Sequence, residues 1–273
     1  MVSQEQRRRQ LAREKFLRQQ QRRTDARRKA RVRNSAIASV LGVIVIGSVA
    51  LYTTHVFGGD KKTDASAKVT PSASSSPSKA PDPCQKPAAG AVKKLSWKKE
   101  PAMSIDTSAK YTLNLATTCG DIPIALKTSA APHTVNSFDF LAGKGYFDHT
   151  KCHRLTTQGI YVLQCGDPQG SGMGGPGYTL PDENLKDASL KKNSYPAGTV
   201  AMANTGQKHT GGSQFFLVYK DSPLPPQYTP FGTIDAAGMK VLNKIAAAGE
   251  STGQGDGAPN ATVVINKATV SKS

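Results

Sequence analysis

Hydrophobic positions along the chain fall into three regimes. Residues 36–57 form one apolar run, with VLGVIVIGSVALY at its centre, and residues 35–59 contain no Lys, Arg, Asp or Glu. Residues 58–94 show no hydrophobic period and are dominated by Ser, Ala, Pro and Lys. Beyond residue 95 short periods appear. Tyr111-Thr112-Leu113-Asn114-Leu115 alternates as a half-buried strand does. Cys119-Gly120-Asp121 reads as a turn and residues 122–126 as the returning strand. Residues 132–143 predict a helix: Pro132 opens it, Val135, Phe138 and Leu141 recur at helical spacing, and Gly143 closes it. Further strands are expected at 152–155, 160–165, 199–203, 214–219, 229–233 and 261–270. Asp235 is expected to cap a second helix, 236–248, with Met239, Leu242 and Ile245 on one face. Many short strands with two helices predict a mainly β domain, an antiparallel barrel or sandwich.

The first regime has the dimensions of a membrane span. Twenty-two helical residues reach roughly 33 Å, against about 30 Å of bilayer hydrocarbon. Residues 1–34 carry 13 Lys and Arg against Glu5, Glu14 and Asp25, which places that end in the cytoplasm. A cleaved signal peptide is the rival reading, with Ser48-Val49-Ala50 as its small-residue site. The long leader and the apolar residues after Ala50 favour an uncleaved anchor. The expected organisation is therefore a basic cytoplasmic arm (1–34), a transmembrane helix (35–57), a disordered spacer (58–94) and a folded domain (95–273) outside the membrane.

The net charge of +17 suggests nucleic acid at first sight. Its placement does not. Residues 111–273 hold 13 Lys and Arg against 11 acids, so the domain is nearly neutral and the excess lies in the arm and spacer. The adjacent span accounts for the arm as a topology signal, and nucleic acid is not an expected partner. Binding of anionic lipid or nucleic acid by the arm is a separate possibility, read out by its salt dependence.

Three local patterns carry little chemistry. Gly170-Ser-Gly172-Met-Gly-Gly175 has the form GxGxxG, but Pro176 and Gly177 follow where a phosphate site needs a helix. His149, Cys152 and His153 lie close together without a fourth ligand or a second cluster, so no metal is expected. Ser213 sits in GGSQFF, which is not a nucleophile elbow.

Two longer segments are more specific: CHRLTTQGIYVLQCGDPQGSGMGGPGYTLPDEN at 152–184 and VAMANTGQKHTGGSQFFLV at 200–218. In order they contain HR, Q-x-GD, a Gly-rich loop with DEN, MAN and GSQFF. They resemble the cyclophilin family of peptidyl-prolyl cis–trans isomerases, over residues 109–271. The resemblance implies an eight-stranded antiparallel barrel capped by two helices, in a membrane-anchored bacterial form. It implies X–Pro polypeptides as substrates and no metal or cofactor. Arg154 matches the catalytic Arg, and Gln164 the residue that positions it or the substrate carbonyl. Tyr161, Val162, Phe216, Leu224 and Tyr228 match the walls of a proline pocket. Ala203, Asn204 and Gln214 match the groove, with the Asn204 backbone pairing with the substrate chain. Alternation sends Phe215 and Phe216 to opposite faces, so only one lines the groove.

Some positions depart from the family pattern. The stretch between Arg154 and Gln164 is two residues longer, Val162 replaces a longer Met, and Pro223 and Tyr228 stand for the usual Trp and His. A lost Trp removes a large apolar contact and an N–H donor, so weak cyclosporin binding is expected. The four cysteines, 84, 119, 152 and 165, allow three two-bridge connectivities or buried thiols. Cys152–Cys165 across a hairpin is one option, and Cys84 tying the spacer to the domain is another. The expected activity is isomerisation of X–Pro bonds in exported proteins, with Arg154 stabilising the twisted amide. The alternative is a non-catalytic module that holds proline segments.

Overall fold

The alternation that begins at Tyr111 runs further than expected, through β1 (Tyr111–Thr117). It turns at Thr118 and Cys119 and returns as β2 (Gly120–Leu126), register Leu113 to Ile124 and Leu115 to Ile122. These four side chains are almost fully buried and face one core. The computed structural model describes residues 81–190 and 193–273. The expected arm and span, and most of the expected spacer, lie outside the described residues. Among the described residues no helix is long and apolar enough to cross a membrane.

Helix α1 (Pro132–Gly143) buries Val135, Phe138 and Leu141, as its spacing requires. Ala131 offers no capping side chain. Instead the Glu183 carboxylate reaches across, accepting from the N–H groups of His133 (3.0 Å) and Thr134 (2.9 Å). A distant carboxylate at a helix N-terminus also suits the helix dipole. The strands β3 (Thr150–Lys151), β4 (Arg154–Thr156) and β5 (Val162–Cys165) follow. Next come β6 (Ser194–Tyr195), β7 (Thr199–Met202), β8 (Phe215–Val218), β9 (Ser222–Pro223) and β10 (Pro230–Ile234). Helix α2 (Ala236–Ala247) is capped by Asp235, which accepts from the Gly238 N–H at 2.7 Å, and buries Leu242 and Ile245. Two strands complete the chain, β11 (Asp256–Gly257) and β12 (Val264–Lys272).

The large sheet is antiparallel, in the order β11-β4-β5-β8-β7-β10-β2-β1-β12-β3. Without the two-residue end strands β3 and β11 it holds the eight strands expected. The single strand expected at 152–155 is instead a corner. β3 pairs with β12, while β4 pairs with β5. The Cys152 N–H donates to Val263 and the next N–H, of His153, donates to Gln164, so two consecutive residues bond to opposite ends of the sheet. That bend makes the curled sheet return on itself. Helix α2 packs on β2 and α1 on β12.

Strands β7 and β8 read TVAM and FFLV, and every residue in them is buried. Continuous apolar strands are buried on both faces. Inward, Phe215, Leu217, Val200 and Met202 join the main core, where Phe138 packs against Phe231 (centroids 4.5 Å), Phe147 (5.2 Å) and Phe215 (5.4 Å). Outward, Val162, Ala201, Phe216 and Val218 form a second, smaller cluster with Tyr195.

Both disulfide options left open by the sequence are present, Cys84–Cys119 and Cys152–Cys165. The first corrects the expected start of packing at residue 95. The chain already lies on the domain from Cys84. The Gln85 N–H donates to Thr118 O, Ala88 N–H to Asn266 Oδ1 (2.9 Å) and Lys93 Nζ to Lys144 O (3.0 Å). A polar spacer composition says nothing of where a covalent bond pins it.

Candidate active site

The outward face of β4-β5-β8-β7 carries one row of side chains set by register. Arg154 lies opposite Gln164, Gln164 opposite Phe216, and Phe216 opposite Ala201. At about 4.8 Å per strand the row spans roughly 14 Å. It places a cation at one end and an apolar surface at the other.

Arg154 is held from two sides. Its Nε and Nη2 donate to the two Asp256 oxygens at 2.8 and 2.9 Å, a bidentate pair. Its Nη1 donates to Gln164 Oε1 at 3.2 Å. A guanidinium has five N–H donors, so two remain for a substrate. The Asp256 hydrogen bonds also raise the Arg154 pKa above its usual value. Gln164 Nε2 donates to Gln214 Oε1 (2.8 Å), and Gln214 Nε2 donates to the Gly174 carbonyl (2.8 Å). The amide orientations are thus fixed in one direction, from Arg154 to the Gly-rich loop.

The Gly-rich loop is itself organised around a carboxylate. Asp167 is buried and accepts from the N–H groups of Gln169 (2.7 Å), Ser171 (2.9 Å) and Gly172 (2.6 Å). Residue 174 must be Gly, because a Cβ there would run into Asp167 Oδ1. The loop's donors therefore serve an internal anion, and Gly170 and Gly172 take positive φ (60° and 80°) in the turn around it. Burial pushes the Asp167 pKa up, but the backbone hydrogen bonds outweigh it and hold the carboxyl below the ordinary range. A depressed folded value means the stabilisation is complete above the unfolded carboxylate pKa of about 3.9 and is lost on acidification through the lower folded value. The stability gap between the protein and Asp167→Asn is expected to narrow as pH falls below about 4. Denaturant titrations from neutral to acid pH check this; a constant gap would contradict it.

Beside Arg154 lies a cavity of about 200 Å³, lined by Arg154, Ile160, Val162, Gln164, Ala203, Asn204, Phe216, Leu224 and Tyr228. This is below the size of a drug-like pocket and fits a single ring. The Tyr228 ring stands edge-on to Phe216, with centroids 5.5 Å apart. Phe216, not Phe215, faces the cavity, as alternation required. The Asn204 side chain is engaged, donating to Gln227 O (2.8 Å) and accepting from Gly206 N–H (2.9 Å). Gln214 lines the adjoining, larger cavity rather than this one.

Tyr161 is not in the pocket. Its ring packs on Tyr219 (5.9 Å) with Lys220 Nζ above it at 4.6 Å, and Ile160 lines the cavity in its place. Parity explains this: Ile160, Val162 and Gln164 share one face, and Tyr161 points to the other. The two extra residues before Gln164 had obscured that count. Asp256 was also missed. It lies 102 residues beyond Arg154, in β11, which follows a loop gathered by Glu250, whose carboxylate accepts from the N–H groups of Thr252 (2.6 Å) and Gly255 (2.8 Å). No local pattern marks it. Asp256→Asn is expected to lower kcat for an X–Pro peptide roughly tenfold with KM little changed, because the guanidinium stays but loses its fixed aim. Steady-state kinetics check the split, and Asp256→Glu should recover part of the loss.

Cys152 is joined to Cys165 and supplies no thiolate for a metal. His153 lies beneath the Gly-rich loop, close to Gly172.

Residues 112–270 match the family model for cyclophilin type peptidyl-prolyl cis-trans isomerase/CLD. A probable peptidyl-prolyl cis-trans isomerase B of Mycobacterium leprae is 50% identical over 165 residues, 58% of this chain and 56% of that protein. The chain thus spans about half the length of this relative. Peptidyl-prolyl cis-trans isomerase cypE of Dictyostelium discoideum is 39% identical over 142 residues, 50% of this chain and 86% of that protein. A crystal structure of a cyclophilin type isomerase from Cryptosporidium parvum aligns with TM-score 0.50 and 26% identity, covering 60% of this chain and 99% of its own. The same protein in the presence of the dipeptide Ala-Pro aligns with TM-score 0.50 and 27% identity, over 59% and 99%.

Proposed function

The chain belongs to the cyclophilin-type peptidyl-prolyl cis–trans isomerases, and from that premise we propose that its domain catalyses rotation about X–Pro bonds, with Arg154 as the catalytic residue. The observation that carries this reading is that Arg154, with two N–H donors left unengaged, lines a ring-sized cavity together with Val162, Phe216, Leu224 and Tyr228. Amide resonance sets a rotation barrier of about 18–20 kcal/mol, whereas cis and trans X–Pro differ by only about 0.5–1 kcal/mol. Lowering the barrier is the whole task. At the twisted geometry the prolyl nitrogen regains its lone pair. A donor aimed there is useful in the transition state and idle in the planar ground state. Val162, Phe216, Leu224 and Tyr228 hold the ring, Gln164 orients the guanidinium, and the Asn204 backbone holds the chain. The test is turnover of an Ala-Pro peptide by the full-length protein beside Arg154→Ala. Peptide binding without turnover would move the reading to a module that holds proline segments.

The clients in this proposal are exported proteins, reached from a single-pass anchor at residues 35–57. The apolar run and the basic arm before it support this, as do two disulfides, which persist in oxidising compartments. Protease added outside intact cells should remove the domain and spare the arm; protection of the domain would refute the topology. Cyclosporin is expected to bind weakly, since exposed Pro223 offers neither a large apolar ring nor an N–H donor. Tight binding by calorimetry would refute that.

A further inference from the structure

Residues 81–100 precede the stretch that matches the family model, yet they end against the groove. The Trp97 N–H donates to the Pro176 carbonyl at 2.8 Å, and the indole packs on Phe140 (5.0 Å) and Tyr146 (5.9 Å). Gly177, at φ 92°, lets the chain pass: a Cβ there would strike Ser96 Oγ and the Trp97 backbone. So anchored, the next three residues, Lys98, Lys99 and Glu100, wall a cavity of about 970 Å³. Gln164, Ala203 and Asn204 line this cavity and the ring-sized one alike, so the two adjoin. A polypeptide with its proline in the small cavity would have the large one beside it on one side.

The charges on this wall are unequal. Glu100 faces His133 Nδ1 at 3.4 Å. Lys98 and Lys99 are exposed and form no ion pair among the described residues. Beneath the floor, the Asp167 carboxylate is enclosed by the loop's own N–H groups. Met173 stands 90% exposed at the rim as an apolar contact. We propose that Lys98 and Lys99 are specificity-determining residues that select client segments carrying Asp or Glu a few residues from the X–Pro bond. The inference rests on the isomerase reading for its substrate class and adds the flanking chemistry.

The test uses the full-length protein and two Ala-Pro peptides that carry either Glu or Lys at the flanking positions. The Glu peptide is expected to bind about fivefold more tightly at low salt, as two exposed ion pairs allow. The preference should fade with added salt. It should vanish in the K98Q/K99Q variant and persist in K98R/K99R. Equal affinities for the two peptides, or a preference unchanged by K98Q/K99Q, would overturn the inference. Turnover of the same peptides is read separately. Lysine-dependent preference without turnover sinks the isomerase reading and leaves the subsite standing; turnover without preference does the reverse.

Discussion

Arg154→Ala lowers kcat/KM for an Ala-Pro peptide by about 10²–10³-fold, with most of the loss in kcat, while peptide affinity changes little. This is the expected result, for two reasons. Arg154, with two N–H groups unengaged, borders the cavity, and a donor that acts only on developing charge contributes to kcat rather than to ground-state binding. Loss of one such donor costs on the order of 10²–10³ in rate. The fold should survive, because the Arg154–Asp256 pair is at the surface, with Asp256 57% exposed, and exposed pairs contribute about 0–1 kcal/mol. Arg154→Lys should restore only a small part of the rate. An ammonium keeps the charge, but it cannot hold Asp256 in a fork, reach Gln164 and still present two donors. Exchange NMR on the peptide reports the rate, and a peptide titration reports the affinity. A turnover indifferent to Arg154 would place the chemistry elsewhere in the groove.

The largest expected loss of stability is at Phe138. Its ring is fully buried in α1 and touches three other aromatic rings, of Phe147, Phe215 and Phe231. Phe138→Ala is expected to cost about 3–5 kcal/mol, since the three rings around Phe138 cannot all close over the space it leaves. Domains are stable by only about 5–15 kcal/mol, so this is a large fraction. Urea unfolding under non-reducing conditions should show a much lower midpoint with an unchanged slope. The ring lies across the sheet from Phe216, so the surviving folded fraction should keep its turnover. A shift below about 1 kcal/mol would show that the cluster collapses around the gap.

What the sequence made legible follows from which interactions are local. Helix α1 was read at its observed bounds because Pro132 and the spacing of Val135, Phe138 and Leu141 are local signals. The Asp235 cap was legible for the same reason. The strand expected at 152–155 was not, since its bend is imposed by partners more than 100 residues away on β12. Of the site residues, Val162, Phe216, Leu224 and Tyr228 meet around one cavity with Arg154 and Gln164. Tyr161 failed on parity, a rule already applied to Phe215 and Phe216 that would have chosen Ile160. Asp256, and the wall formed by Lys98 and Lys99, depend on long-range folding of loops. Loops carry function on a rigid frame without periodic pattern to announce it.

The Cys84–Cys119 bond has a mechanical consequence. It joins the entering chain to the turn between β1 and β2, before that chain runs on towards the groove. A pull on the chain from the direction of residue 81 follows the covalent path through the two sulfurs into that hairpin. Residues 85–100, downstream of the bond, sit out of the line of force. A force applied at residue 81 would thus reach the hairpin without peeling the groove's wall away.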